Sequence, residues 1–385
     1  MRPRSLQSLA LLLGGLLAAC GGGAAAPAPS SPPPASVQAP AASAKPAASA
    51  ASAKPAASAS AKPAGAASGK PAASAKVASV APAQPGQILA AYSEIVTSNL
   101  PMWAAKEGGI YQKNGINVDL RLIESSLSIG ALLAGQVQVA GVGGSETLAA
   151  AVSGGDVKIL ATTTPVYPYK LEVAANIKTP ADLKGKKIAI SRVGSSSDVA
   201  TRAGLKKIGL NPDKDVSIVQ VGSLQARTAA MVSGAVQASM ANPPDTLTLE
   251  DQGFHALVDL STLDLPASNN GVVVQGAWLA GHKAEAQKYI DSYVQAIARV
   301  KKDKPFALQV MQKYLKMTDT RKLNAAYDYW VGKTMPTLPY PKANQFTDSV
   351  AVIALKNPAA KTYDLNRLID PSFIQSAADR GMDKG

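Results

Sequence analysis

Gly194-Ser195-Ser196-Ser197 follows the apolar run Ile188-Ala189-Ile190 and opens a helical pattern, so its N–H groups and hydroxyls sit at a helix start. Such a start carries partial positive charge and unpaired donors, which suit an anionic or polar ligand. The same residues also read as an ordinary strand-to-helix turn with a serine cap. Gly143-Gly144-Ser145 repeats the arrangement after the apolar run 137–142. Two such starts facing one another would favour a carboxylate, a sulfonate or another polar group between them. Further hydroxyls and amides lie where strands run out into loops. Ser93 and Glu94 end a first strand, Ser98 and Asn99 open its helix, and Ser125 ends a second strand. Thr164, Tyr167 and Tyr169 follow a fourth strand and offer an aromatic wall with hydroxyls, and Asn242 precedes Pro243-Pro244. The candidate solute-binding residues are therefore Ser93, Ser98, Asn99, Ser125, Gly144, Ser145, Thr164, Tyr167, Tyr169, Ser195, Ser196, Ser197 and Asn242. Each serine reads equally as a helix cap, and the tyrosines as packing. Arg192 suits the mouth of such a site, while Trp278 and Trp330 read as core. Glu94 and Glu146 add negative charge, which admits a zwitterion or an amine if either faces the ligand.

The elements that would hold these residues alternate between strand and helix from residue 88 onward, the signature of α/β layers. Strands are expected at 88–92, 118–123, 137–142, 158–163, 188–190, 217–221, 238–240 and 256–260. Helices are expected between them, and the chain turns helical over 282–302, 305–315, 320–331 and 345–356. The stretch TPADLKGKKIAISRVGSSSD (179–198) shows the local logic. Thr179 can cap a helix with Pro180 at its first position, and Asp182 can complete a capping box. Gly185 can end it, with Lys184, Lys186 and Lys187 at the negative end. LAGQVQV (133–139) is echoed by VSGAVQA (232–238), which suggests two similar halves. Ligands in open α/β sheets bind outside the carboxyl ends of the strands, so two facing lobes would share one cleft.

The N-terminus carries Arg2 and Arg4, an apolar run over 9–17, and the single cysteine, Cys20. The run is too short to anchor a chain across a bilayer and reads as a secretory signal over 1–19. Leu17-Ala18-Ala19-Cys20 resembles the lipobox of bacterial lipoproteins, which implies lipidation of Cys20. Residues 20–87 are almost entirely Ala, Ser, Pro, Gly and isolated lysines, with too few large apolar side chains to offset the entropy of ordering. They read as a tether whose coil dimension would be roughly 45 Å.

Charge and motif content narrow the function classes. The whole chain has 39 basic and 26 acidic residues; seven of the basic ones precede residue 87, leaving 32 against 26 for the remainder. That mild excess suits small anions, and with few aromatics and no basic cluster it does not suit nucleic acid. The two histidines, His255 and His282, lie away from the candidate loops. No H-x-x-x-H, phosphate loop or G-x-S-x-G is present, so no catalytic residue, metal or cofactor is assigned. An extracytoplasmic enzyme or a ligand sensor on the same fold is the competing reading.

WAAKEGGIY (103–111) followed by NGINV (114–118) resembles a segment of periplasmic solute-binding proteins, in the branch for nitrate, taurine and alkylsulfonates that includes thiamine-pyrimidine-precursor binders. Residues 133–139 with 141–144, then 179–190 and 233–242, resemble further blocks of that family in the same order, covering roughly 88–278. Gln138 and Gln237 stand where the family usually has Asp, a change expected to affect a local turn or cap. The resemblance implies a two-lobed α/β fold of the type 2 periplasmic-binding-protein kind, with a helical C-terminal tail. It implies a monomer that closes on a small anionic or zwitterionic solute and delivers it to the permease of an ABC importer. It also implies an extracytoplasmic protein tied to the membrane only through its lipid. Lobe 1 is expected to span 88–173 and 271–385 and lobe 2 to span 174–270, with hinges near 171–175 and 270–275. Because the tether contributes no core, Cys20→Ala should move the protein from membrane to soluble fractions while its unfolding transition stays unchanged. Equal membrane retention of the variant would refute the anchor.

Overall fold

Short runs of small and β-branched residues, closed by glycine or by polar residues, form the strands. The computed structural model describes residues 86–263 and 265–384, so the signal, Cys20 and the tether up to residue 85 lie outside the described residues. The strands are β1 (Gln87–Tyr92), β2 (Asn117–Leu122), β3 (Val139–Val142), β4 (Val157–Val166), β5 (Lys170–Val173), β6 (Lys187–Ile190), β7 (Ser217–Gln220), β8 (Ala238–Ala241), β9 (His255–Asp259) and β10 (Pro266–Gln275). They make two five-stranded sheets, ordered β2-β1-β3-β10-β4 and β7-β6-β8-β5-β9. In the first, β1 runs parallel to β2 and β3, and β10 runs antiparallel between β3 and β4. In the second, β6 runs parallel to β7 and β8, and β5 runs antiparallel between β8 and β9. The two sheets therefore share one plan. The two-lobed α/β fold with a helical tail is the one expected.

The passage between sheets differs in position from the expected hinges. Residues 170–173 pair as β5 in the second sheet, and 266–275 pair as β10 in the first. The chain thus crosses over 167–169 and again over 260–265. Both strands escape a hydrophobic reading because they carry polar residues, Lys170 and Glu172 in one and Ser268, Asn269 and Asn270 in the other. Register shifts in β10 next to Asn270 weaken its alternation further.

Gln138 and Gln237 do the same job in each half. Gln138 accepts from the Leu89 amide at 2.9 Å and donates to the Gly135 carbonyl at 3.3 Å. Gln237 accepts from the Lys187 amide at 3.2 Å and donates to the Gly234 carbonyl at 3.1 Å. Each glutamine closes the turn into a central strand, far from the strands' carboxyl ends. The Asp182 carboxylate likewise accepts from the Thr179 amide at 2.8 Å, capping the short turn Pro180–Leu183.

The C-terminal helices pack mainly on the first sheet. The helix Lys283–Lys302 buries Tyr289, Tyr293, Ile290 and Ile297 in the same core as Trp103 and Val118. Trp103 is fully buried and stacks on Tyr314 with ring centroids 4.7 Å apart. The tail also reaches the second sheet's layer. Arg321 and Lys322 pair with Asp251, Lys333 with Asp259, and the Trp330 indole donates to the Pro243 carbonyl at 2.8 Å. The expected helix over 320–331 is α-helical only over Thr320–Tyr327 and widens to a π-helix over Asp328–Thr334, a geometry that often accompanies functional sites.

Glu172, in β5, is fully buried, and neither carboxylate oxygen has a partner among the described residues. Burial raises its pKa from 4.5 to about 7, with Glu250 and Asp259 adding to the effect and Lys170 opposing it. Between those values the folded chain keeps a proton that the unfolded chain releases. Stability is therefore full below about pH 4.5 and falls as pH rises through 7. Glu172→Gln should abolish that fall and raise stability at pH 8 by about 1–3 kcal/mol in denaturant titrations. An unchanged pH profile would show that Glu172 is not its source.

Candidate functional site

The carboxyl ends of the parallel strands of both sheets converge. Ser93 and Glu94 leave β1, Gly143 and Glu146 follow β3, Ser191 follows β6, Arg227 follows β7 and Asn242 follows β8. Together with Ser98, Asn99, Ser125 and Tyr169 they line a cavity of about 50 Å³, closed further by Asn269, Asn270 and Trp330. A neighbouring hollow of about 90 Å³ shares Ser93, Glu94, Ser125 and Ser191 and adds Glu124 and Arg192.

One carboxylate in this lining is fully engaged. Glu146 stands in the first turn of the helix Gly144–Val152 and reaches across to the N-terminus of the helix Ser196–Lys207. Ser196 donates to it through Oγ at 2.9 Å and through its amide at 3.3 Å, and Ser125 donates through Oγ at 3.3 Å. The Arg192 guanidinium lies 4.0 Å away. A Cβ on Gly143 would fall 2.2 Å from both Glu146 Oε2 and Ser196 Oγ, so this crossing tolerates only glycine there. The seat that sequence reasoning gave to the ligand's anion is thus taken by the protein's own carboxylate, which suits a helix N-terminus for the same reason a ligand would.

Two other charges are left open. Arg227 is 2% exposed, and its Nη1 donates to the Gly222 carbonyl at 2.8 Å. Its Nε has no partner, and it forms no ion pair among the described residues. Glu94 is half-buried, and its carboxyl makes no hydrogen bond among the described residues; its backbone carbonyl accepts from Asn99 at 2.8 Å. Burial raises the Glu94 pKa, Arg227 partly opposes the rise, and Glu146, Asp245 and Glu124 add to it. Asp245 is raised by burial too, against Thr228 and Arg227. Burial likewise pushes the Tyr169 hydroxyl up. The Oδ1 atoms of Asn242 and Asn269 have no partner among the described residues. Asn270 donates to Ser98 Oγ at 3.2 Å and Asn99 Oδ1 at 3.1 Å, which fixes the loop carrying Glu94.

Of the residues singled out in the sequence, Ser93, Ser98, Asn99, Ser125, Tyr169, Ser196, Ser197 and Asn242 line this cavity. The other five are elsewhere. Ser145 bonds Ser349 at 2.8 Å, and Gly144 is pressed against Ser268. Ser195 caps its own helix and donates to the Arg192 carbonyl, Thr164 is buried in β4, and Tyr167 donates to Asp348 at 3.2 Å. Sequence reasoning missed Arg227, Ser191, Asn269 and Asn270, and it read Trp330 as core. Arg227 had a signal: with Leu224 and Met231 it forms a buried stripe of helical spacing, on which a cation is out of place.

Residues 96–303 match the family model described as NMT1/THI5 like, more than half of the chain. The chain belongs to the NMT1/THI5-like family. Among curated relatives of this family member, a Brucella abortus (strain 2308) protein named as a candidate binding protein is 32% identical over 119 residues. That match covers 30% of this chain and 36% of the relative, so the chain spans about a third of the length of the curated relatives it matches. Among solved structures, the alkanesulfonate-binding protein SsuA from Xanthomonas axonopodis pv. citri, bound to MOPS, is 20% identical with a TM-score of 0.60, covering 77% of this chain and 98% of that one. The zinc-bound ligand-binding component of an ABC-type import system from Staphylococcus aureus is 14% identical with a TM-score of 0.64, covering 76% and 98%. These structures share the fold of this NMT1/THI5-like chain. No helix among its described residues is long and apolar enough to cross a membrane.

The clasp between Glu146 and Ser196 predicts where a serine substitution acts. The Ser196 hydroxyl is committed to Glu146, so Ser196→Ala should lower unfolding stability by about 1–3 kcal/mol, the size of a hydrogen bond to a charged group. Unchanged stability in denaturant titration would show that the clasp carries no weight.

Proposed function

We propose that this chain is the solute-binding component of an ABC importer, lipid-anchored outside the cytoplasm through Cys20. It captures a small organic solute bearing an anionic group and hands it to the permease. The observation that carries this reading is Arg227, a buried guanidinium in the lining of a cavity between two sheets, with no protein counter-ion among the described residues. An arginine that no carboxylate satisfies is a costly thing to bury, and a carboxylate or sulfonate from outside removes the cost. The named activities of the alkanesulfonate-binding and ABC-import neighbours agree with this reading. The two crossings at 167–169 and 260–265 are the segments about which the lobes open and close, as a double-crossed pair of domains can. The ties from Arg321, Lys322, Lys333 and Trp330 to the second sheet's layer break or slide during that motion. The monomeric state and the absence of a cofactor belong to the same reading.

A thermal-shift panel of short carboxylates and sulfonates tests it, because a molecule that binds only the native state raises the melting temperature by mass action. At least one member should do so, and Arg227→Met should weaken its binding by about ten- to a hundredfold in calorimetry. A panel without hits, or a hit that ignores Arg227→Met, would turn the argument toward a sensor or an enzyme.

A further inference from the structure

We propose that the lysine-rich end of the second sheet's lobe docks on the surface of an anionic lipid bilayer. This rests on the chain working beside a membrane and adds which face turns to it. Lysines that the sequence spreads over residues 178–214 come together where β6 and β7 begin. Lys178, Lys184, Lys186 and Lys187 lie on the segment that enters β6, and Lys214 lies on the one that enters β7. The Gly185 amide donates to the Asp215 carbonyl at 2.7 Å and the Ser217 amide to the Lys186 carbonyl at 2.9 Å, which ties the two segments side by side. Lys206 and Lys207 end the helix Ser196–Lys207, which runs from the cavity back to the same end. Lys186 is half-buried and the other six are exposed.

Three carboxylates share this end, Asp182, Asp213 and Asp215, so seven lysines against three acids leave four positive charges in excess. Each carboxylate is already engaged: Asp182 by the Lys178 and Thr179 amides, Asp213 by Arg202 at 2.6 Å, and Asp215 by the Asn211 amide at 2.7 Å. Lys184 lies 4.0 Å from Asp215, and the other six lysines form no ion pair among the described residues. The fold itself does not call for this charge. The first sheet follows the same plan, with Gln87 paired to Asn117 where the second pairs Lys187 to Ser217. The hollow at that end of the first sheet balances Glu285 against Lys288.

The chemistry favours lipid over nucleic acid. Residues 178–187 and 206–217 hold no arginine and no aromatic side chain, so they offer neither a platform for bases nor a fork for phosphates. Lysines at a surface need only a plane of negative charge. The cavity lies at the carboxyl ends of the same strands, so docking by this end keeps it clear of the headgroups.

Sedimentation with vesicles tests the face, using residues 20–385 with Cys20→Ala so that no lipid anchor contributes. Vesicles of phosphatidylglycerol mixed with phosphatidylcholine should bind this chain, and vesicles of phosphatidylcholine alone should not. Each lysine at an anionic surface strengthens binding about fivefold, so Lys187→Gln, Lys207→Gln and Lys214→Gln together should weaken it about tenfold or more. Lys283→Gln, Lys356→Gln and Lys361→Gln remove the same charge from exposed positions elsewhere. That second triple variant should weaken binding about twofold at most. Binding should vanish in about 0.5 M salt, where the Debye length is roughly 4 Å. Equal losses in the two triple variants would overturn the face and leave net charge as the source. Absence of binding to the anionic vesicles would overturn it as well, as would tighter binding of a single-stranded RNA at equal salt. None of these results bears on solute capture at Arg227, because the cavity lies at the other ends of the strands.

Discussion

An ionised group taken out of water must find an opposite charge or a set of hydrogen bonds, and this requirement organises the space between the two sheets. Glu146 meets it within the protein, by crossing from one lobe to a helix start on the other. Arg227 meets it only through the Gly222 carbonyl, with no counter-ion and its Nε unpartnered among the described residues. The contrast separates a carboxylate that joins the two lobes from a buried guanidinium with no counter-ion among the described residues. Without the clasp, a helix start rich in hydroxyls would itself be the natural place for an anion, and the cavity would have a different polarity.

The fold supplies that arrangement by repetition. Each sheet sets three parallel strands side by side, adds one that runs the other way, and closes with a fifth strand antiparallel to that one. The carboxyl ends of six parallel strands then point at one region, so short loops suffice to bring side chains of both sheets within reach of one small molecule. The glutamine-closed turns at Gln138 and Gln237 lie at the opposite ends of the central strands, where they can be exchanged for other capping residues without touching the cavity.

Much of the architecture was legible because its signals are local. The apolar run 188–190, the glycine stops and the serine-rich helix starts each depend on a few neighbouring residues. The strands β5 and β10 were not legible, since their pairing is with distant segments and their own residues are partly polar. The same division runs through the site. Loop hydroxyls such as Ser93 and Ser125 announce themselves by position, and most of them line the cavity. Ser145 and Tyr167 have the same local appearance but are turned to Ser349 and Asp348 by packing that no local pattern encodes. Arg227 shows the reverse case: its place on a buried helical stripe was visible, and only the cavity gives it a meaning.

The π-helical turn that brings Trp330 to the cavity lies beyond residue 303, outside the part of the chain that the family model recognises. One wall of the pocket thus comes from the tail, and the two sheets and their loops supply the others. The same turn ties that wall to the second sheet's layer, through Trp330 to the Pro243 carbonyl and Lys333 to Asp259. A change confined to that turn reaches one wall of the pocket, while the loops that carry the other walls hang on strands far from it in sequence.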